Sequence, residues 1–139
     1  MNKIFKVGLI GCGHISETYF RGHDYFNNFQ IIKCADINLE NAKKCAETYG
    51  IEACSVDELL NDSEIEIILN LTIPRAHYEV AKKSLDHGKH VYSEKPMAVN
   101  FVEGEELLFL EINSMFSNLK EEINSINSLL VSLVTVLNS

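Results

Sequence analysis

The chain has 139 residues, of which 46% are hydrophobic and 23% are charged, and its formal net charge is −8. This length fits one ordinary globular domain and leaves no room for a second full one. The acidic balance argues against a non-specific nucleic-acid binder, which needs clustered lysine and arginine. We find no signal-peptide pattern and no run of about 18 apolar residues, so we expect a cytoplasmic protein that does not span a membrane.

Predicted strands and helices alternate along the chain. Strands are expected at residues 5–11, 30–36, 52–54, 65–72 and 89–93, with helices at 14–26, 38–50, 56–62 and 74–88. Such alternation requires right-handed crossovers, which produce a parallel sheet covered by helices on both faces. The predicted fold class is therefore α/β, with a doubly wound parallel sheet.

The first predicted strand runs into the sequence "GCGHIS", in which two glycines stand one residue apart. In a dinucleotide-binding turn the first glycine permits the tight bend, the second lets a pyrophosphate approach the backbone, and a third small residue lets helix and strand pack closely. These positions are Gly11, Gly13 and Ser16, and Ser16 is larger than the usual glycine or alanine. The helix that begins near His14 would offer unpaired N–H groups to the phosphates. The alternative is a glycine turn that serves packing alone.

Asp36 ends the second predicted strand, 25 residues after Gly11. A carboxylate near this spacing accepts hydrogen bonds from the adenosine ribose and repels a 2′-phosphate. We therefore predict NAD rather than NADP as the cofactor. The alternative is that Asp36 is a solvated residue capping the next helix, although Asn38 is also suited to that role.

The four cysteines are Cys12, Cys34, Cys45 and Cys54. They form no C-x-x-C pair and fall within predicted strands, helices and turns. This distribution favours reduced thiols over a disulfide framework or a zinc site, and we predict no metal centre.

The segment "YSEKPMAVN" allows a more specific prediction of function. In it, Glu94, Lys95 and Pro96 directly follow the last predicted strand. This tripeptide resembles the signature of the Gfo/Idh/MocA family, which includes glucose-fructose oxidoreductase and inositol dehydrogenase. The segments "KVGLIGCGHIS", "CADINLENAKKCAETYG" and "NLTIPRAHYEVAKKSLDHGKHVYSEKPMA" resemble the amino-terminal, NAD-binding domain of that family in the same order. The resemblance covers about residues 3–108.

The resemblance implies an oxidoreductase that moves a hydride between a nicotinamide cofactor and the hydroxyl of a sugar or polyol. It implies that Lys95 is catalytic, since in the family this lysine positions the substrate hydroxyl and assists proton transfer. The predicted cofactor-binding residues are Gly11, Gly13, His14, Ile15, Asp36, Ile37, Leu71, Thr72, Pro74, His77, Glu94 and Lys95. Lys95 could instead be an exposed surface lysine, and His77 a helix cap or surface group. The side chains of His14 and His90 are expected only to pack or meet solvent.

Members of the family continue into a second domain that holds the substrate and supplies a catalytic aspartate and histidine, whereas nothing in residues 109–139 resembles the family. We therefore predict a Rossmann domain over 1–108 and an atypical helical tail over 109–139, from a truncated or frameshifted gene. Such a chain is expected to be inactive alone. A non-catalytic NAD-binding or assembly module is one alternative, and a structural remnant without a ligand is another.

The tail carries a heptad pattern. Apolar residues recur every seven positions at Phe109, Phe116, Ile123, Leu130 and Leu137, with Ile112, Leu119, Ile126 and Leu133 between them. This pattern predicts a helix from about residue 101 whose apolar seam forms a homo-oligomer. The alternative is an amphipathic helix that folds back on the sheet and ends with residues 129–137 as a strand.

Overall fold

The computed structural model describes residues 3–23 and 25–137, with the backbone alone for His23 and 127–137. Its elements in chain order are β1 (Phe5–Ile10), α1 (Ser16–His23), β2 (Phe29–Ala35), α2 (Leu39–Tyr49), β3 (Glu52–Ala53), α3 (Val56–Asn61), β4 (Ile67–Asn70), α4 (Pro74–Asp86), β5 (His90–Ser93) and α5 (Phe101–Leu137).

The five strands form one sheet in the order β3-β2-β1-β4-β5, and every neighbouring pair is parallel. The predicted doubly wound parallel sheet is confirmed. The chain proceeds from β1 to one edge and then crosses back to β4 on the other side of β1, so the strand order reverses there. A crevice at the carboxyl ends of the strands beside such a reversal is where open α/β sheets bind ligands.

The side chains on the two faces of β1 are buried in two separate hydrophobic clusters. Val7 and Leu9 are buried in one cluster with Phe20 of α1, whereas Ile10 is buried in another with Leu59 of α3. Side chains alternate between the faces of a strand, so an apolar strand covered on both sides is buried throughout its middle.

Helix α1 is shorter than predicted at both ends: it runs from Ser16 to His23 and not from His14 to Phe26. Gly22 is a poor helix former, and its carbonyl accepts the N–H of Tyr25 in a turn beyond the helix. Phe26 consequently does not extend the apolar face of α1, and its ring packs near that of Phe29 at a centroid distance of 6.1 Å.

Helix α5 runs without a break from Phe101 to Leu137, so the alternative of a strand over residues 129–137 is wrong. A strand needs a neighbouring strand for its backbone groups, whereas a helix pairs those groups within itself. The predicted boundary between 108 and 109 falls inside this helix. Glu106 fastens its first part to α4 by accepting the Tyr78 hydroxyl at 2.7 Å and the Lys82 ammonium at 3.0 Å.

Among the residues that the structure describes, no helix is both long enough and apolar enough to cross a bilayer.

Candidate dinucleotide-binding site

Gly11 makes the bend after β1 possible. It is buried, its φ is +101°, and a Cβ added to it would lie 2.6 Å from the carbonyl carbon of Leu71. An L side chain rarely adopts this backbone conformation, and here it would also collide with the backbone that follows β4. Gly11 therefore allows the ends of β1 and β4 to lie against each other.

Gly13 has a different role, since it is exposed and a Cβ added to it would meet no atom within 4 Å. The missing side chain leaves open space over the backbone of the turn, as a bulky anion needs. Ser16, at the third position of the motif, is buried, and its hydroxyl donates to the carbonyl of Gly13 at 2.7 Å. The serine fits between helix and strand because its polar atom is satisfied within the turn.

The start of α1 offers free donors. Among the described residues, no hydrogen bond is donated by the backbone N–H groups of Gly13, His14 or Ile15. These groups lie just before a helix of eight residues, whose amino end carries a partial positive charge. The arrangement suits a phosphate group.

The carboxylate of Asp36 is held in place by two backbone amides. One oxygen accepts the N–H of Cys12 and the other accepts the N–H of Asn38, both at 2.8 Å. Each oxygen keeps a second lone pair for a ligand hydroxyl. Asn38, and not Asp36, caps α2, because its side chain accepts the N–H of Glu40 at 3.1 Å.

A cavity of about 920 Å³ opens beside this turn. Its lining includes nine of the predicted cofactor residues: Gly11, Gly13, His14, Ile15, Asp36, Ile37, Leu71, Thr72 and Pro74. His77, Glu94 and Lys95 are absent from it. Asn41, Val56 and Ile73 also line the cavity and were not among the residues predicted from the sequence. Asn41 and Val56 belong to the first turns of α2 and α3, and Ile73 follows β4, so their positions after strand ends were the available signal.

His77 is 1% exposed and is neither a surface group nor a helix cap. Its Nδ1 lies 2.6 Å from the carbonyl oxygen of Pro96, and its Nε2 lies 2.8 Å from that of Thr72. A neutral imidazole donates from one nitrogen only, so the neutral ring makes one of these two hydrogen bonds and the imidazolium makes both. The ring connects the segment after β4 to the loop that contains Pro96.

Asn70, fully buried at the end of β4, reinforces the same connection. Its side-chain amide donates to the carbonyl of His77 at 2.9 Å and to the hydroxyl of Ser93 at 3.1 Å. Its side-chain oxygen accepts the hydroxyl of Thr72 at 2.7 Å, and its backbone carbonyl accepts the N–H of Glu94 at 3.0 Å. The network positions the loop after β5 relative to the cavity.

Glu94 and Lys95 differ in how tightly they are held. Glu94 accepts the hydroxyl of Tyr19, and this hydrogen bond lowers the pKa of the carboxyl group. Burial, followed by the contact with Glu94, raises the pKa of Tyr19. Lys95 is exposed, and its ammonium makes no ion pair within the part of the chain that the structure describes. The Lys95 side chain is thus free to meet a ligand.

A parallel sheet with this strand order, a glycine turn and a carboxylate after β2 define a dinucleotide-binding Rossmann domain. The chain belongs to the Gfo/Idh/MocA family. The family's sequence model, described as an oxidoreductase family with an NAD-binding Rossmann fold, matches residues 5–114. The resemblance noted in the sequence is confirmed, and the prediction that nothing in 109–139 resembles the family is wrong for residues 109–114, which the match includes.

Several known proteins are similar to this chain. Glucose-6-phosphate 3-dehydrogenase from Bacillus subtilis is 34% identical over 99 residues, which cover 70% of this chain and 28% of that enzyme. The myo-inositol dehydrogenase from Lactobacillus casei, solved with NAD(H) and myo-inositol, has a TM-score of 0.73 at 24% identity and is matched over 79% of this chain and 34% of its own. The biliverdin reductase from Synechocystis, solved with biliverdin and NADP+, has a TM-score of 0.73 at 29% identity, over 78% and 35%.

These matches are partial on the side of the relatives. The chain spans about a third or less of the proteins that it resembles. The two solved relatives hold different forms of the nicotinamide cofactor, so the family alone does not decide between NAD and NADP.

Proposed function

We propose that this chain is the NAD-binding part of an oxidoreductase that transfers a hydride between the nicotinamide and the hydroxyl of a sugar or polyol. The observation that carries the proposal is the Asp36 carboxylate, fixed by two amides at the edge of the cavity. Gly13 and the free amides before α1 support it, because they suit the pyrophosphate of the same cofactor. The substrate class is supported by two relatives at 34% identity, a glucose-6-phosphate 3-dehydrogenase and an inositol 2-dehydrogenase.

The proposal includes a preference for NAD over NADP. A ribose with both hydroxyls free donates to the oxygens of Asp36, whereas a 2′-phosphate would bring a second negative charge against them. We propose Lys95 as the catalytic side chain. When bound, the cofactor supplies the hydride acceptor or donor, and the Lys95 ammonium is suited to hold the substrate hydroxyl and its proton. One ammonium does not orient a substrate, so we propose that the chain alone is inactive.

Calorimetric titration of the purified chain with NAD+ and with NADP+ tests this function. We expect NAD+ to bind in the micromolar range or more weakly, and NADP+ to bind at least about tenfold more weakly than NAD+, a difference of about 1.4 kcal/mol. Adding myo-inositol to the NAD+ sample should produce no NADH. Binding of neither dinucleotide would contradict the function, equal or tighter binding of NADP+ would contradict the role of Asp36, and NADH formation would contradict inactivity.

We also propose that α5 joins two copies of this chain. The seam residues Phe109, Ile112, Phe116, Leu119 and Ile123 are each between 48% and 66% exposed, so they do not pack on the sheet of their own chain. The further seam positions Leu130, Leu133 and Leu137 lie outside the residues whose side chains are described. Helix α5 is about 55 Å long and carries apolar residues at heptad spacing. Two copies of such a helix can pack their apolar seams against each other, so we propose a second copy of this chain as the partner.

A charged residue introduced into the proposed seam tests whether α5 joins two copies of the chain. We expect the chain to scatter light as a dimer or larger homo-oligomer at low micromolar concentration, and Ile123→Asp to shift it toward the monomer because a carboxylate would be buried between helices. Ser125→Asp adds the same charge to the same helix off the seam, and the oligomer should persist. A monomeric wild type, or an unchanged mass in Ile123→Asp, would contradict the proposal.

A further inference from the structure

Three cysteines that are distant in sequence meet beneath the glycine turn. The sulfur atoms of Cys12, Cys34 and Cys45 all lie within 4.8 Å of one another. They come from the turn after β1, from β2 and from α2, and all three are free thiols. The three cysteines are too far apart in the sequence to form a short motif such as C-x-x-C, from which a metal site can be predicted.

We propose that Cys12, Cys34 and Cys45 form a binding site for one thiophilic d¹⁰ cation of the Zn²⁺ and Cu⁺ class. A tetrahedral ion with metal–sulfur bonds of about 2.3 Å holds its sulfurs about 3.8 Å apart, so each sulfur pair needs to close by at most about 1 Å. A ligand set of three cysteine sulfurs favours such soft ions over Mg²⁺ or Ca²⁺, which prefer oxygen ligands.

The backbone positions of the three ligands are fixed before an ion arrives. Cys34 lies within β2, in register with Leu9 of β1, and Cys45 lies in the middle of α2. Cys12 is held by its N–H, which donates to Asp36. A site on rigid elements loses little conformational entropy when it binds an ion.

The cluster is accessible from one side. Cys34 and Cys45 are buried, whereas Cys12 is half-buried. A surface pocket of about 380 Å³ includes Cys12 and Cys45 in its lining, together with Lys44 and Thr48. An ion can therefore enter from solvent, and its fourth position can be taken by water or a small thiol. This site does not depend on the proposed cofactor or on hydride transfer.

Titration of the reduced chain with Cd²⁺ in the absence of oxygen tests the site. Cd²⁺ is a d¹⁰ probe whose bonds to thiolates absorb in the ultraviolet by charge transfer. We expect this band to saturate at one ion per chain, to be replaced when Zn²⁺ is added in excess, and to be unaffected by Mg²⁺. The band should be lost in Cys12→Ser and in Cys45→Ser.

Cys54→Ser is the matched control, because Cys54 is a buried thiol outside the cluster, and it should retain the band. Circular dichroism checks folding, and Cys12→Ser decides the outcome if Cys45→Ser does not fold, since Cys12 lies in a partly exposed turn. Absence of the band in the wild type, its full retention in folded Cys12→Ser, or its equal loss in Cys54→Ser would overturn the proposal.

Discussion

Replacing Gly11 with alanine is expected to lower the free energy of unfolding by about 2 to 6 kcal/mol. A non-glycine residue in a sparsely populated backbone conformation costs about 1 to 3 kcal/mol. The added Cβ would also lie 2.6 Å from the backbone of Leu71, and overpacking of this kind costs about 1 to 3 kcal/mol more. Urea unfolding followed by circular dichroism measures the change.

Gly13→Ala is the matched control for this substitution. Gly13 has no positive φ and no neighbour that a Cβ would meet. We therefore expect the free energy of unfolding of the Gly13→Ala protein to differ from that of the wild type by less than about 1 kcal/mol. Its methyl group should instead weaken dinucleotide binding by occupying the space over the turn. Wild-type stability in Gly11→Ala would contradict the close approach of β1 and β4.

Asp36→Ala is expected to weaken NAD+ binding about 10- to 150-fold. The reason is the loss of hydrogen bonds from the ribose to a charged group, which contribute about 1.5 to 3 kcal/mol. Calorimetric titration measures the change, and the same variant should bind NADP+ with less discrimination because the repelling charge is gone. Asp36→Asn should show the same loss of discrimination while keeping an oxygen to accept a backbone amide.

Glu40→Ala is a suitable control, because Glu40 is an exposed acidic residue in the first turn of α2 and does not line the cavity. It should leave both affinities unchanged. Asp36 also accepts the N–H groups of Cys12 and Asn38, so the melting temperature of each variant must be measured to separate loss of binding from loss of structure. Wild-type affinity for NAD+ in folded Asp36→Ala would remove Asp36 from the site.

The residues around the cavity are of two kinds: those that line it, and buried residues such as Asn70 and His77 that do not. Gly13 and Asp36 face the cavity, whereas Asn70 and His77 lie behind it and join the segment after β4 to the loop after β5. That loop carries Lys95. His77 does not line the cavity, and both of its ring nitrogens lie against backbone carbonyls, so its observed contacts join these two segments.

Local pattern was sufficient to predict most of the fold. Apolar runs followed by glycine or a polar cap mark where strands end and helices begin, so Asn38 and Gly50 were correctly placed at the two ends of α2. Parallel strands all end at the same edge of the sheet. The residues after β1, β2 and β4 were therefore predictable as neighbours, and Gly13, Asp36 and Thr72 do line one cavity.

The local sequence pattern could not predict features that depend on how the helices and strands pack together. The burial of His77 was hidden because its partners are carbonyl groups, which every residue carries. The exposure of the α5 seam depends on what α5 contacts, since an amphipathic helix has the same sequence pattern whether it covers its own sheet or a partner. The meeting of Cys12, Cys34 and Cys45 required the turn, the strand and the helix to be placed together, because distance along the chain carries no information about distance across a core.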